Sequence, residues 1–496
     1  MGADLANLML GITTVLGFVP YCLAGLLLGM VSGVLPGIGP TAMIAMLIPI
    51  TFAFPPVGTI ILLASVYNGA QHGSALAAIL ASSSESIATG GPSTDGRRMA
   101  WQGQAGRAIT VSAISSIIAA TLVTIAIAYF SPAVAAFGSA LGPAELFSAT
   151  VLTLTVALML SRGALLIALG MVILGLLLGI VGTDMQTGQL RLTFGAIELA
   201  DGISVIVIAI GAFAIGETIA AIQRDDRRGV VLRQVKSLLP MPNDLVRIIP
   251  SVLRGSFFGS LLGLLPGAGP AFASYGSYEI ERLTSKHGKE IGQGVVEGVA
   301  APAAANKAGL QSSFIPMLAF GIPSNAAMAL LISGLMIHGI MPGPGLLTNQ
   351  PQLFWGLISS VWLGSVLMAV LSLILIRGWI RILDVPYQLL YPSVLGFCAI
   401  SVYSVSNSVF DVYLMCVFGL LGYIFKRLGS DPTPMLISFV VAPLFEENFR
   451  KAMILSKDDY SIFLSRPLSS AMLASAVVLL ALIAIFLRSR NEHYVE

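Results

Sequence analysis

Two stretches of the chain, 230 positions apart, spell one glycine pattern: Gly25, Gly29 and Gly33 lead into Leu35-Pro36-Gly37-Ile38-Gly39-Pro40, and Gly255, Gly259 and Gly263 lead into Leu265-Pro266-Gly267-Ala268-Gly269-Pro270. Eight positions agree in unbroken register, five Gly, one Leu and two Pro, so the chain reads as an internal duplication. Glycine at every fourth position lets a neighbouring helix come close inside a membrane. The Leu-Pro-Gly-x-Gly-Pro that follows cannot continue a helix, because Pro lacks an N–H and Gly gives up the most backbone entropy. Each half is expected to hold a tightly packed helix ending in a break. Gly/Pro-interrupted apolar segments in corresponding positions of two halves point to the binding site of a secondary transporter.

Composition sets the solvent. Of 496 residues, 56% are hydrophobic and 10% charged, whereas soluble domains carry about 25% charged residues. The expected fold is an all-α polytopic membrane protein with about 10–14 transmembrane helices in two inverted repeats, including broken helices or re-entrant hairpins. Apolar runs long enough or nearly so lie at about 11–33, 57–81, 108–130, 144–160, 163–182, 203–222, 247–265, 353–376, 388–404, 410–425 and 467–487. Broken stretches at about 41–55, 270–280, 308–340 and 434–448 read as crossings or as dips that return. The N-terminus lacks a basic region before its first apolar run, which is therefore expected to stay as a spanning helix. A net charge of +2 with scattered basic residues excludes a nucleic-acid partner. Cys22, Cys398 and Cys416 sit in apolar runs and read as buried, space-filling thiols.

The charged loops give orientation. Arg224, Arg227, Arg228, Arg233, Lys236, Arg247 and Arg254 face three aspartates in the one long charged connection, which the positive-inside rule puts in the cytoplasm. The division expected is a first repeat over 1–223, a basic cytoplasmic linker over 224–254 and a second repeat over 255–496. After its break the first copy has uncharged Phe54-Pro55-Pro56 where the second has Arg282, Lys286 and Lys289. Farther along, the first has Arg97 and Arg98 where the second has uncharged Met341-Pro342-Gly343-Pro344-Gly345. Basic residues swap ends, as an inverted repeat requires. Residues 431–466, with Arg450, Lys451, Lys457 and Arg466, do not follow the alternation and leave the side of the C-terminus open.

Helix breaks free backbone donors and acceptors. Donors converging at a half-helix N-terminus suit an anion, and freed carbonyls at a half-helix C-terminus suit Na⁺. On this basis Ser82, Ser83, Ser84, Ser324, Asn325, Asn306 and Lys307 are the candidate substrate-binding residues, and Gly37, Gly39, Asn68, Gly267, Gly269 and Glu297 the candidate ion-binding ones. The competing reading of each is helix packing or an interfacial position. Lys307 has two readings: snorkelling to an interface, or an ammonium standing in for a bound cation opposite a carboxylate. His72 and His338 read as packing or hydrogen-bonding residues, since no partner ligand sits at metal spacing. No metalloprotease helix, nucleophile elbow or phosphate-binding lysine is present, so neither an enzyme nor an ATP-driven pump is expected.

Several local motifs together resemble the large membrane subunit of the tripartite tricarboxylate transporters, nearly end to end. They are the paired Leu-Pro-Gly-x-Gly-Pro breaks, Asp95-Gly96 with Met99-Ala100-Trp101-Gln102-Gly103-Gln104-Ala105-Gly106-Arg107-Ala108, and Gly182-Thr183-Asp184-Met185-Gln186-Thr187-Gly188 with Arg191-Leu192-Thr193-Phe194-Gly195. Asp201-Gly202-Ile203, Glu297-Gly298-Val299-Ala300-Ala301-Pro302, Gly321-Ile322-Pro323 and Ile337-His338-Gly339 continue the pattern. The resemblance implies a prokaryotic inner-membrane permease working with a small membrane subunit and an extracytoplasmic solute-binding protein. Three positions depart from the family pattern. Ser82-Ser83-Ser84-Glu85 stands where an Asn-x-Pro-Gly break is usual, Ala303 where Glu is usual, and Lys307 where Asn is usual.

The expected function is a secondary, cation-coupled importer of small organic carboxylates of the tricarboxylate and dicarboxylate class, with Na⁺ or H⁺ as coupling ion and no cofactor. Moving a dianion inward against about 100 mV costs about 4.6 kcal/mol, so cations must accompany it. The alternative is a non-transporting pore or scaffold subunit of a membrane complex.

Overall fold

The computed structural model describes residues 2–35, 38–80, 92–161, 164–184, 186–223, 241–265, 269–343, 345–375, 378–379 and 387–492. Almost all of this is helix, and prolines mark where helices start. α1 (Gly2–Gly17) and α2 (Val19–Val34) are followed by α3 (Pro40–Thr51), α4 (Pro56–Leu80), α5 (Pro92–Trp101), α6 (Ala105–Ala140), α7 (Pro143–Leu160) and α8 (Leu165–Gly179). Pro40, Pro56, Pro92 and Pro143 are first residues, where the missing N–H would have been unpaired anyway. A two-residue hairpin pairs Gly182 with Arg191 and Thr183 with Leu190, antiparallel.

The chain continues through α9 (Val205–Ala209), a π-helical stretch over Ile210–Ile215 and α10 (Gly216–Gln223), which together form one continuous rod. Beyond the linker come α11 (Pro242–Leu264), α12 (Gly269–Thr284), α13 (Val296–Ser312), α14 (Phe314–Phe320) and α15 (Ala326–Ile337). A short α16 (Leu346–Asn349) leads to α17 (Pro351–Ile374), α18 (Tyr387–Ser406), α19 (Val409–Arg427), α20 (Thr433–Ser456), α21 (Ile462–Ser465) and α22 (Pro467–Glu492).

Among the described residues, five helical segments are able by length and composition to cross a membrane singly: Ala105–Gly138, Val205–Ile222, Asn243–Leu264, Pro351–Ile374 and Val409–Arg427. The chain is an all-α polytopic membrane protein. The first apolar run is not one rod as expected, since α1 and α2 meet at 75° around Phe18, just before Pro20 in the first turn of α2. The stretch 434–448 lies inside one 24-residue helix that carries Pro443 within it. Residues 242–254 of the linker are already part of α11.

The two glycine motifs pack alike. A Cβ on Gly25, Gly29 or Gly33 of α2 would overlap the Leu62, Val66 or Ala70 carbonyl of α4. On α11, Gly255, Gly259 and Gly263 stand in the same relation to the Ala301, Ala305 and Gly309 carbonyls of α13. The breaks match as well: Leu35 closes α2 at φ −76°, ψ 131°, and Leu265 closes α11 at φ −78°, ψ 123°. Each motif therefore presses a short glycine face onto the helix after next, which brings α4 and α13 into the interior. The largest core cluster runs between the halves and includes Phe314, Phe354 and Trp355, all with 1% exposure or less.

Cysteine 416 departs from expectation. Cys22 and Cys398 are buried, but Cys416 is exposed on α19, whose outer face also shows Tyr413, Val417 and Leu420. An apolar run thus does not separate a core-facing thiol from an exposed one.

Candidate functional site

One face each of four helices closes around a small polar cavity. Helical spacing decides which side chains arrive there. Asn68, Gln71, His72 and Ala75 come from α4, Ser112 and Ser116 from α6, Ala303, Asn306, Lys307 and Leu310 from α13, and Met368 from α17. The space is about 40 Å³, room for a water or one carboxylate group. Its chemistry is unusual for the interior of so apolar a chain: Lys307 is 4% exposed, Asn68 1% and His72 5%.

Lys307 Nζ donates to Asn68 Oδ1, and the Asn68 amide is held in turn by donating to the Val361 carbonyl at 3.3 Å. Among the described residues, His72 Nε2 has no hydrogen-bond partner. No carboxylate lines the cavity among the described residues. Lys307 therefore does not snorkel. It points into a space walled by amides and hydroxyls, with no carboxylate beside it among the described residues.

A second cluster lies beside the first along α4. Asn325 caps α15, its Oδ1 accepting from the Met328 N–H at 3.1 Å, while its Nδ2 donates to the Tyr67 hydroxyl at 3.2 Å. This cap sits at the break made by Gly321, which is left-handed at φ 71°. Ser324 is fully buried, and its hydroxyl has no partner among the described residues. Tyr67 and Asn68 are neighbours, so one turn of α4 touches both the α15 cap and Lys307.

From the sequence Asn68 is assigned to an ion, and Asn306 and Lys307, in a separate polar stretch, to the substrate; the structure places all three around one cavity and joins Lys307 to Asn68 by a hydrogen bond. Asn306 lines the same cavity and its amide also reaches the Pro270 carbonyl at 3.4 Å. Glu297 lies elsewhere, at the start of α13, paired with Arg247 and His287 at 2.9 Å each. Gly39 caps α3 in extended conformation, and Gly269 opens α12 at φ 61°. Ser82, Ser83, Ser84, Gly37 and Gly267 lie outside the described residues. His338 hydrogen-bonds Thr59 at 3.1 Å. Ser112 and Ser116 were missed, and their i, i+4 spacing in a long apolar run was the available signal.

Charged residues collect in two groups at helix ends. The first holds Arg107–Asp244 at 2.6 Å, Arg254–Glu281 at 2.7 Å and the Glu297 pairs. Buried Asp95 belongs with them, accepting from the Gly292, Gly294 and Val295 N–H groups and from Tyr278 at 2.7–3.1 Å. The second holds Asp184–Arg191 at 2.5 Å, Arg191–Glu446 at 2.8 Å, Arg450–Asp184 at 3.2 Å and Arg466–Glu145 at 3.2 Å.

Comparison with known proteins agrees with the resemblance. A sequence model described as "Tripartite tricarboxylate transporter TctA family" matches residues 19–437. The chain is 43% identical over 496 residues to the "Uncharacterized 52.8 kDa protein in TAR-I ttuC' 3'region" of Agrobacterium vitis, covering 99% of each. It is 45% identical over 240 residues to the "Uncharacterized protein in TAR-II ttuC' 3'region" of the same organism, covering 48% of this chain and 99% of that one. No solved structure matches. The chain belongs to the tripartite tricarboxylate transporter TctA family, as a multi-pass membrane subunit.

Proposed function

We propose that this chain is the permease of a secondary, cation-coupled importer of small organic carboxylates, with the Lys307 cavity as the place where a substrate carboxylate binds. The observation that carries the reading is a buried lysine, with no acidic partner among the described residues, in a cavity shared by α4 of the first half and α13 of the second. An ammonium taken out of water without a counter-charge is costly, and a substrate carboxylate supplies that charge together with acceptors for its N–H groups. Amides and hydroxyls around it add neutral donors. At about 40 Å³ the cavity holds one carboxylate group, so a whole di- or tricarboxylate enters only when the surrounding helices part. Membership of a tripartite family supports an extracytoplasmic solute-binding protein and a small membrane subunit as partners, in the inner membrane of a prokaryote.

The pore or scaffold alternative differs in one measurable way. Proteoliposomes containing the permease with its partner subunits are expected to accumulate radiolabelled carboxylate above the outside concentration when an ion gradient is imposed. Uptake that only equilibrates, with or without a gradient, contradicts the importer reading.

The division into a first repeat over 1–223 and a second over 255–496 belongs to the same proposal, with the halves in opposite orientation. Phe52 and Arg282 occupy equivalent positions 230 residues apart, and both are exposed. Single cysteines at these two positions, in a background without Cys22, Cys398 and Cys416, are expected to react with a membrane-impermeant maleimide from opposite sides. Labelling of both from one side contradicts the inverted arrangement.

A further inference from the structure

The importer reading leaves the coupling ion as Na⁺ or H⁺, and the chemistry of the cavity separates them. A hard cation such as Na⁺ needs a shell of oxygens. Here the Asn68 amide oxygen is taken up by Lys307 Nζ, no carboxylate is among the lining residues described, and an ammonium repels a second cation beside it. The remaining oxygens, on Gln71, Asn306, Ser112 and Ser116, are all neutral, and beside them stand two basic nitrogens: the Lys307 amine, and His72 Nε2, buried and without a partner among the described residues.

We propose that the co-transported cation is a proton carried on Lys307, in the cavity it shares with His72, and that it binds together with the substrate carboxylate. The inference rests on the carboxylate reading above. In the step proposed, the lone pair of the neutral amine takes one proton from the aqueous phase, the resulting ammonium donates to the arriving carboxylate, and no covalent bond to the substrate forms. On the opposite side the carboxylate leaves and the proton follows it, restoring the amine. The elements around Lys307 present few other titratable groups: His72 on α4 and the Cys22 thiol on α2 interact with it, while α6 and α17 bring only Ser112, Ser116 and Met368 to the cavity.

Calorimetric titration of the purified full-length protein with citrate and with succinate tests this, using buffers of different ionisation enthalpy to count protons. The native protein is expected to take up close to one proton per carboxylate bound, with affinity rising by about tenfold per pH unit of acidification at pH values where the free amine is neutral, and with equal affinity in sodium and choline chloride. Lys307→Gln is expected to abolish proton uptake and weaken binding about 10- to 150-fold, the loss of a charge-assisted hydrogen bond. Lys307→Arg keeps the positive charge but cannot release a proton, so it is expected to bind carboxylate without proton uptake. Tighter binding in sodium with no proton uptake by the native protein overturns the proton assignment while leaving the carboxylate reading intact, and so does undiminished proton uptake in either variant. Failure of the native protein to bind either carboxylate overturns the carboxylate reading, and the inference falls with it.

Discussion

Leucine at Gly29 or at Gly259 is expected to abolish folding, and to do so to a similar degree in both halves. At Gly29 even a Cβ would lie 2.9 Å from Ala70 N, and at Gly259 2.6 Å from Ala305 Cα, besides overlapping the Val66 and Ala305 carbonyls. Overpacking against movable side chains costs about 1–3 kcal/mol. Here the opposing surface is helix backbone, which has no rotamer to change, so the two helices must separate along their whole contact. A cost well above about 3 kcal/mol removes most of a typical folding stability of about 5–15 kcal/mol. Gly170→Leu in α8 is the control, since a Cβ there meets nothing within 4 Å. Size-exclusion profiles of fluorescently tagged variants in mild detergent are expected to show aggregate for Gly29→Leu and Gly259→Leu and a native-like peak for Gly170→Leu. A native-like peak for either motif variant contradicts the close-packing account.

Asp95→Ala has the second large expected effect. The carboxylate is fully buried and gathers three backbone N–H groups from the 292–295 loop plus the Tyr278 hydroxyl, so it ties α5 of the first half to the second. Gly298 makes this possible, because a Cβ there would overlap the Asp95 carboxylate. Each buried donor left without an acceptor costs about 1–3 kcal/mol, and alanine orphans several at once. The expected result is a fall in thermal midpoint of more than about 10 °C, taking about 2–4 °C per kcal/mol at T_m for soluble domains of 150–250 residues as the scale. Gly298→Ala is expected to fall in the same direction by crowding the carboxylate instead of removing it. A midpoint unchanged in Asp95→Ala would show that the loop finds other acceptors.

Much of this architecture was legible in the sequence because backbone chemistry enforces it. Glycine at i, i+4 and i+8 leaves little choice but close helix contact, and the equal spacing in both copies foretold the equal packing of α2 on α4 and of α11 on α13. The site was only partly legible. Lys307 and Asn306 stood out through their residue types, and Asn68 stood out as an amide beside glycine in an apolar run. Ser112 and Ser116 did not, since serines in a span serve helix packing as often as binding, and only the meeting of α6 with α13 brings them to the cavity. Periodicity does not reveal which distant faces meet.

The basic cluster at 431–466 illustrates the same limit. Counted as free positive charge it breaks the alternation of loops. In the structure Arg450 lies against Asp184 and Glu446, Lys451 against Glu447, and Arg466 against Glu145. Three of its four basic residues are therefore balanced by acidic partners, two of them from carboxylates more than two hundred residues away in sequence. A rule that counts Lys and Arg by loop cannot anticipate that neutralisation.

The central claim is that a substrate carboxylate docks on Lys307 between the two halves, and a cryo-electron-microscopy structure of the native protein saturated with a transported carboxylate tests it most directly. The account predicts density for a carboxylate within hydrogen-bond distance of Lys307 Nζ, with α4 and α13 moved apart and the Lys307–Asn68 contact opened or shared with the ligand. Substrate density elsewhere, with Lys307 still bound to Asn68 in an unchanged cavity, would contradict it.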